Sequence, residues 1–244
     1  MIALRSHALL WVIPWIALMA CPARVAEAGP AVMEGAGLQV GQAIGPFSEA
    51  VGTGFGAQGF IVVPTPSKKS LGLRIAAGLI TYGSKTGSYL DPYSSYAYSF
   101  RVTNNLAMLG LGPQFSVVSG GVRPYFYGML GLGYFYTSTS ATDIYGDTGT
   151  LNTGQNSSHF ALGEGLGVGV RIPVSRATRT WSLDLGVEWR GHNKAQYLTS
   201  HDLQADSTRG LYFTPRQSRA DLIVFRAGVT LEPRDSEAPA VQLK

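Results

Sequence analysis

Residues 122–136 read VRPYFYGMLGLGYFY. The even positions give Val122, Pro124, Phe126, Gly128, Leu130, Leu132, Tyr134 and Tyr136. The odd positions give Arg123, Tyr125, Tyr127, Met129, Gly131, Gly133 and Phe135. In a β-strand these are opposite faces. One face is a leucine band with tyrosines beyond it. The other is small or semi-polar in its middle. Aromatics at both ends of an apolar middle are the pattern of a strand that crosses a membrane between two interface girdles. The competing reading is a strand buried on both faces in a soluble sandwich, and the other strands decide between them.

The clearest of those is Trp181–Arg190. Trp181, Leu183, Leu185, Val187 and Trp189 alternate with Ser182, Asp184, Gly186, Glu188 and Arg190. Phe160–Pro173 sets Leu162, Leu166, Val168, Val170 and Ile172 against Gly163, Gly165, Gly167, Gly169 and Arg171. A glycine stripe facing a narrow lumen leaves room for large side chains from neighbouring strands. Glu164 falls on the apolar face and reads as a rim position or a bulge. In Leu71–Tyr82, Leu71, Leu73, Ile75, Ala77 and Leu79 oppose Arg74 and Tyr82. In Asp221–Leu231, Ile223, Phe225, Ala227, Val229 and Leu231 face out and Arg226 faces in. Weaker strands are expected at Leu38–Pro46, Gly54–Val63 and Tyr96–Val118, the last with Asn104-Asn105 as a bulge inside one strand or, alternatively, as a break into two.

The connections sort by length. Those at 64–70, 119–121 and 174–180 are short, and those at 83–95, 137–158 and 192–218 are long. In an up-and-down barrel, alternate connections lie at the same end. Short periplasmic turns opposite long outer loops are the outer-membrane arrangement, whereas a soluble sandwich has no reason to segregate loop length. The expected fold is therefore all-β: an eight-stranded antiparallel transmembrane barrel over residues 29–232, with a polar tail at 233–244.

Composition bounds the alternatives. The chain has 244 residues, 31 of them glycine. Charged residues make up 14%, well below the roughly 25% of ordinary domains. Aromatics at 11% argue against disorder. The net charge of +4 forms no basic patch interleaved with aromatics, so nucleic acid is not an expected partner. The N-terminus has the parts of an export signal over residues 1–28: Arg5, the apolar run Ala8–Ala20, and Ala26-Glu27-Ala28 as an A-x-A cleavage site. A lipoprotein-type reading, with Cys21 lipidated, competes with plain cleavage. Cys21 is the only cysteine. Beyond this segment no run of about 18 apolar residues exists, which a barrel of alternating faces does not need.

Three segments carry a family resemblance. Gly110-Leu111-Gly112-Pro113-Gln114, Arg123-Pro124-Tyr125 through Gly131-Leu132-Gly133-Tyr134, and Leu183 through Arg190 resemble the small bacterial outer-membrane barrel proteins. That group includes the transmembrane domain of outer-membrane protein A, the opacity proteins and the OmpX/Ail proteins. The likeness spans roughly residues 36–232 and implies a fold, not a function. Such barrels commonly end on an aromatic residue, whereas here Val229-Thr230-Leu231-Glu232 is followed by more chain.

The expected lumen charges are Arg74, Arg123, Arg171, Asp184, Glu188, Arg190 and Arg226, which must pair if buried. They form either a plug of salt bridges or a narrow ion path. The expected membrane-interface aromatics are Tyr134, Tyr136, Trp181, Trp189 and Phe225. The resemblance also raises an enzyme of the lipid A deacylase kind. Candidates would be His159 with Ser157, Ser158 or Glu164, and His192 or His201 with Glu188. Ser158 and His159 are adjacent and point to opposite faces of a strand, and no G-x-S-x-G occurs, so no catalytic residue is assigned. No metal-ligand spacing and no cofactor motif are visible. Tyr145, Tyr197, Tyr212 and Phe213 in the long connections offer an aromatic, polar binding surface. The expected role is structural or surface-interactive, with outer-membrane lipopolysaccharide or phospholipid around a monomer and an extracellular ligand at loops 137–158 and 192–218. A soluble periplasmic barrel or sandwich is the remaining alternative.

Overall fold

The computed structural model describes residues 32–66, 68–90, 97–143, 150–176, 179–197, 203–206, 210–213, 215–233. The expected signal at 1–28 with Cys21, Tyr145, His201 and the tail beyond Pro233 lie outside them.

Eight long strands close into one antiparallel barrel in the order β1-β12-β7-β6-β5-β4-β3-β2. They are β1 (Met33–Ile44), β2 (Thr53–Thr65), β3 (Lys68–Leu90), β4 (Ala97–Ser116), β5 (Arg123–Asp143), β6 (Thr150–Arg176), β7 (Arg179–His192) and β12 (Asp221–Pro233). Between β7 and β12 lie four short strands. β8 (Lys194–Tyr197) pairs with β11 (Arg216–Arg219), and β9 (Leu203–Asp206) pairs with β10 (Gly210–Phe213).

The barrel is apolar outside and polar inside. Leu38 and Leu130 are 72% and 71% exposed, and Leu73, Leu109, Leu166, Leu185, Val187 and Val229 also face outward. In water each such side chain would forgo about 1.5–3 kcal/mol of burial. A continuous apolar band around a whole barrel is a surface made for lipid. Alternation does the sorting: each exposed leucine is flanked by residues that point into the lumen. Trp181 at the short-turn end and Phe225 face outward. Tyr134 and Tyr136, half-buried, stack on each other at 5.4 Å, and Tyr134 packs on Phe160 at 4.5 Å. Trp189, also half-buried, pairs in register with Leu166 and Ile223. Phe225 is an outward residue of β12. It pairs with Val40 and Val187, within the aliphatic band. Alternation gives a residue's face and says nothing of its depth.

Several boundaries move. β1 begins at Met33, ahead of the expected Leu38, and ends at Ile44, where Gly45–Glu49 turns as 3-10 helix. β4 is one strand. The irregularity expected at Asn104-Asn105 lies on β3, where Tyr82 is the extra residue between Thr81↔Asn105 and Gly83↔Asn104. The stretches 83–95 and 137–158, expected to be loops, are largely strand: β3 runs to Leu90, β4 starts at Ala97, β5 runs to Asp143 and β6 starts at Thr150. Outside the apolar layer neither face needs to be hydrophobic, so the alternation that marks a strand fades while the ladder continues. The 192–218 stretch likewise contains β8 to β11.

Closure runs through a glycine pair. Gly37 and Gly228 are in register across the β1–β12 seam, and a Cβ on Gly37 would sit 2.6 Å from the Ala227 carbonyl oxygen. A closed ladder resists detergent until heated, so the purified protein is expected to migrate differently on gels before and after boiling. Gly228→Val, which would push on the Ala36 backbone, is expected to cost about 1–3 kcal/mol. Its conversion midpoint should fall by roughly 3–10 °C in a temperature series of the same gel assay.

Candidate functional site

The lumen is organised in layers. The β6 glycine stripe makes one wall thin, and each glycine is covered by a large side chain. Built on Gly167 or Gly169, a Cβ would overlap the Tyr127 or Tyr125 ring. At Gly165 it would lie 3.1 Å from Glu188 Oε1, and at Gly163 3.2 Å from His192 Nε2.

At mid-height Arg226 joins two tyrosine–carboxylate pairs. Tyr125 donates to Asp184 Oδ1 at 2.6 Å and Tyr127 donates to Glu188 Oε2 at 2.7 Å. Arg226 Nη1 donates to the Tyr127 hydroxyl at 2.9 Å and Nη2 to the Tyr125 hydroxyl, with Asp184 at 3.5 Å and Glu188 at 3.9 Å. Arg190 Nε donates to Glu188 Oε1 at 2.8 Å. Arg74, fully buried, is held differently. Its Nη1 donates to Gln114 Oε1 at 2.9 Å, and its guanidinium lies 3.6 Å from the Phe60 ring centroid and 4.4 Å from that of Tyr127. Nε and Nη2 have no hydrogen-bond partner among the described residues. Ring faces supply negative potential to this guanidinium at close range.

Near the short-turn end, Glu232 bridges Arg123, at 2.5 Å, and Arg171. It therefore ties β12 to β5 and β6 across the barrel. The seven expected lumen charges fall into two groups, Arg123 and Arg171 with Glu232, and Asp184, Glu188, Arg190 and Arg226 with Arg74 above the tyrosines. Glu232, Tyr125 and Tyr127 were not assigned from sequence. The signal was present: Glu232 has the parity of Arg226, and the tyrosines have that of Arg123.

Above this layer a cavity of about 40 Å³ is lined by Gln58, Met108, Glu188, Arg190 and His192 among others. That is room for on the order of three waters. Above it again, Ile80, Tyr82, Leu106, Phe135 and Leu222 join Phe47 and Tyr197 in an apolar plug. Phe47 meets Tyr197 at 4.9 Å and Tyr82 at 5.6 Å. Tyr197, expected on the outer binding surface, is buried in this plug. β8 turns alternate residues inward, which a polar connection does not advertise. Of Tyr212 and Phe213 the structure gives the strand only.

The hydrolase candidates do not converge. Glu164 points outward to Arg219 at 3.3 Å. His192 Nδ1 lies 3.0 Å from the Ala220 carbonyl oxygen, and both Glu188 oxygens are taken by Arg190 and Tyr127. His159 is half-buried in register with Phe135, while Ser158 is exposed. Among the described residues no cluster of three His, Cys, Asp or Glu side chains could hold a metal ion.

Neither a family model nor a curated protein matches the chain. Solved structures match in outline. The attachment invasion locus protein Ail of Yersinia pestis is 10% identical over 84% of this chain and 99% of that one, with a TM-score of 0.45. Neisserial surface protein A is 14% identical over 84% and 97%, with a TM-score of 0.38. A major outer membrane protein from Thermus thermophilus is 17% identical over 83% and 99%, with a TM-score of 0.39. Likeness at this level adds nothing to what the geometry shows.

Removing one partner from the buried network leaves charge uncompensated. Glu188→Ala is expected to cost about 3–5 kcal/mol, read by urea unfolding in detergent micelles. Removing Arg190 as well should recover part of that loss, because fewer orphaned cations remain.

Proposed function

We propose that the protein is an integral outer-membrane barrel, monomeric and surrounded by lipopolysaccharide and phospholipid, that works as a surface-interaction module at its outer end. The observation that carries this reading is the unequal height of the wall. β1, β2, β7 and β12 have 12, 13, 14 and 13 residues, whereas β3 to β6 have 23, 20, 21 and 27. A membrane crossing takes about 9–11 residues per strand. Half of the barrel therefore continues as a paired sheet beyond the lipid. The last β2 pair is Phe55↔Thr81, so Gly83–Leu90 of β3 pairs with β4 on one side and has no strand on the other among the described residues. Such an edge offers backbone donors and acceptors to an extended segment of a partner. The filled lumen supports the same reading, since charged and aromatic side chains occupy the space an ion path would need.

Replacing residues 84–103 by a two-residue turn should leave the heat-dependent gel shift in place. The same replacement should abolish the adherence that cells carrying the intact protein show over cells lacking it. Unchanged adherence would remove the projecting sheet from the account. In planar bilayers the intact protein should give no discrete conductance steps, and steps that change in Glu188→Gln would favour a narrow pore instead.

A further inference from the structure

The chain between β7 and β12 is anchored to the barrel at its root by His192, bonded to Ala220, by the Asn193 N–H, which donates to the Leu162 carbonyl oxygen at 3.0 Å, and by the Arg219–Glu164 pair at 3.3 Å. β8 and β11 pair from Lys194↔Arg219 to Tyr197↔Arg216. Lys194, Gln196 and Arg219 face water, while Ala195, fully buried, and Tyr197 turn in against Phe47 and Phe135. This two-stranded cap lies on the apolar plug of the outer mouth, to which it contributes Ala195 and Tyr197. At its root His192 ends β7, and Ala220 stands between β11 and β12. The His192 backbone N–H and Nδ1 both reach the Ala220 carbonyl oxygen, at 3.1 and 3.0 Å. A carbonyl oxygen only accepts, so Nδ1 carries the proton and Nε2 is the bare nitrogen. Nε2 lies over Gly133 and Gly163, where a side chain would collide with it, and the ring stands edge-on to Phe135 at 5.4 Å.

We propose that His192 is an acid-sensitive latch: neutral, it holds the β8–β11 cap down on the apolar plug at the outer mouth, and protonated, it releases the cap.

The surroundings favour the neutral ring. Arg190 and Glu188 flank it on its own strand, and Asp221 lies on β12. Tyr197 of the cap, Tyr82 of β3 and His159 of β6 also stand at this end, as do the exposed Lys194 and Arg219 of the cap and Glu164 of β6. Glu188 is bonded to Arg190 and Tyr127 through both oxygens, and Asp221 is held by Arg219 at 2.9 Å. A proton on Nε2 would lie against the Gly133–Gly163 wall and near the Arg190 cation, with both Glu188 oxygens already bonded elsewhere. The stronger Nδ1 bond to one carbonyl does not replace a lost hydration shell. The closed state therefore binds fewer protons than the open state, in which the imidazole titrates in water near its ordinary value of about 6.5. Closure is unaffected above that pH and weakens by up to tenfold per pH unit below it.

The test uses the full chain with Cys21→Ser, reconstituted in lipid vesicles, carrying Ala195→Cys or Gln196→Cys. The two positions adjoin on β8, one buried and one exposed, so their ratio of labelling rates by a charged thiol reagent cancels the pH dependence of the thiol. That ratio should rise about tenfold between pH 7.5 and 5. It should stay flat with His192→Asn added, whose amide N–H still donates to a carbonyl but does not titrate. Hydrogen exchange of residues 194–197, corrected for intrinsic rate, should show the same contrast without a cysteine in the cap. A ratio and an exchange rate that do not move in the wild-type background, or that move as much in His192→Asn, would overturn the latch.

Discussion

A chain surrounded by lipid has no water to satisfy its backbone, so every N–H and C=O in the lipid layer must find a partner within the protein. The closed ladder from β1 to β12 meets that requirement, and the rest of the structure follows from closing it. Closure at eight strands fixes a narrow interior. The pleat then sends alternate residues into it, whatever their chemistry. Leucines on one parity force arginines, carboxylates, glutamines and tyrosines on the other into a space with room for little else.

That crowding explains the glycines of β6. A strand with side chains on both faces would leave no space for Tyr125, Tyr127, Glu188 and His192, and four glycines in alternation clear one wall for them. It also explains how charge is balanced. Arg226 spans two carboxylates through two tyrosines, Glu232 serves two arginines, and Arg74 rests on aromatic faces. A buried cation is held by whichever partner the geometry leaves within reach. The two ends of the lumen are closed differently: the Glu232 bridge lies at the short-turn end, and packed rings lie at the outer end. Only the outer closure adds connections to wall residues: Phe47 of Gly45–Glu49 and Tyr197 of the β8–β11 pair pack with Ile80, Tyr82, Leu106, Phe135 and Leu222 of the barrel strands.

Much of the barrel was legible. The parity of 71–82, 122–136, 160–173, 181–190 and 221–231 gave the inward and outward faces, and Arg74, Asp184, Glu188, Arg190 and Arg226 could be placed inside from it. The limits of that signal are physical. Period-two alternation exists only where one face meets lipid and the other does not, so the projecting arms at 83–90 and 137–143 looked like loops. Phe47 and Tyr197 sit in polar connections, and nothing local distinguishes an aromatic that folds back into the mouth from one that faces solvent.

The sequence by itself determined the class of fold, the number of crossings and the face of most wall residues, because these depend on local periodicity and on the lengths of successive connections. Tertiary structure alone decided which charges meet. Arg226 reaches Tyr125 and Tyr127, about a hundred residues away in the chain, and Glu232 reaches Arg123 and Arg171, because the shear of a closed barrel sets which side chains share a level in the lumen. It decided as well that His192 ties the cap through Ala220. A hydrogen bond between the ends of two strands separated by a long connection exists only once the barrel has brought those ends together.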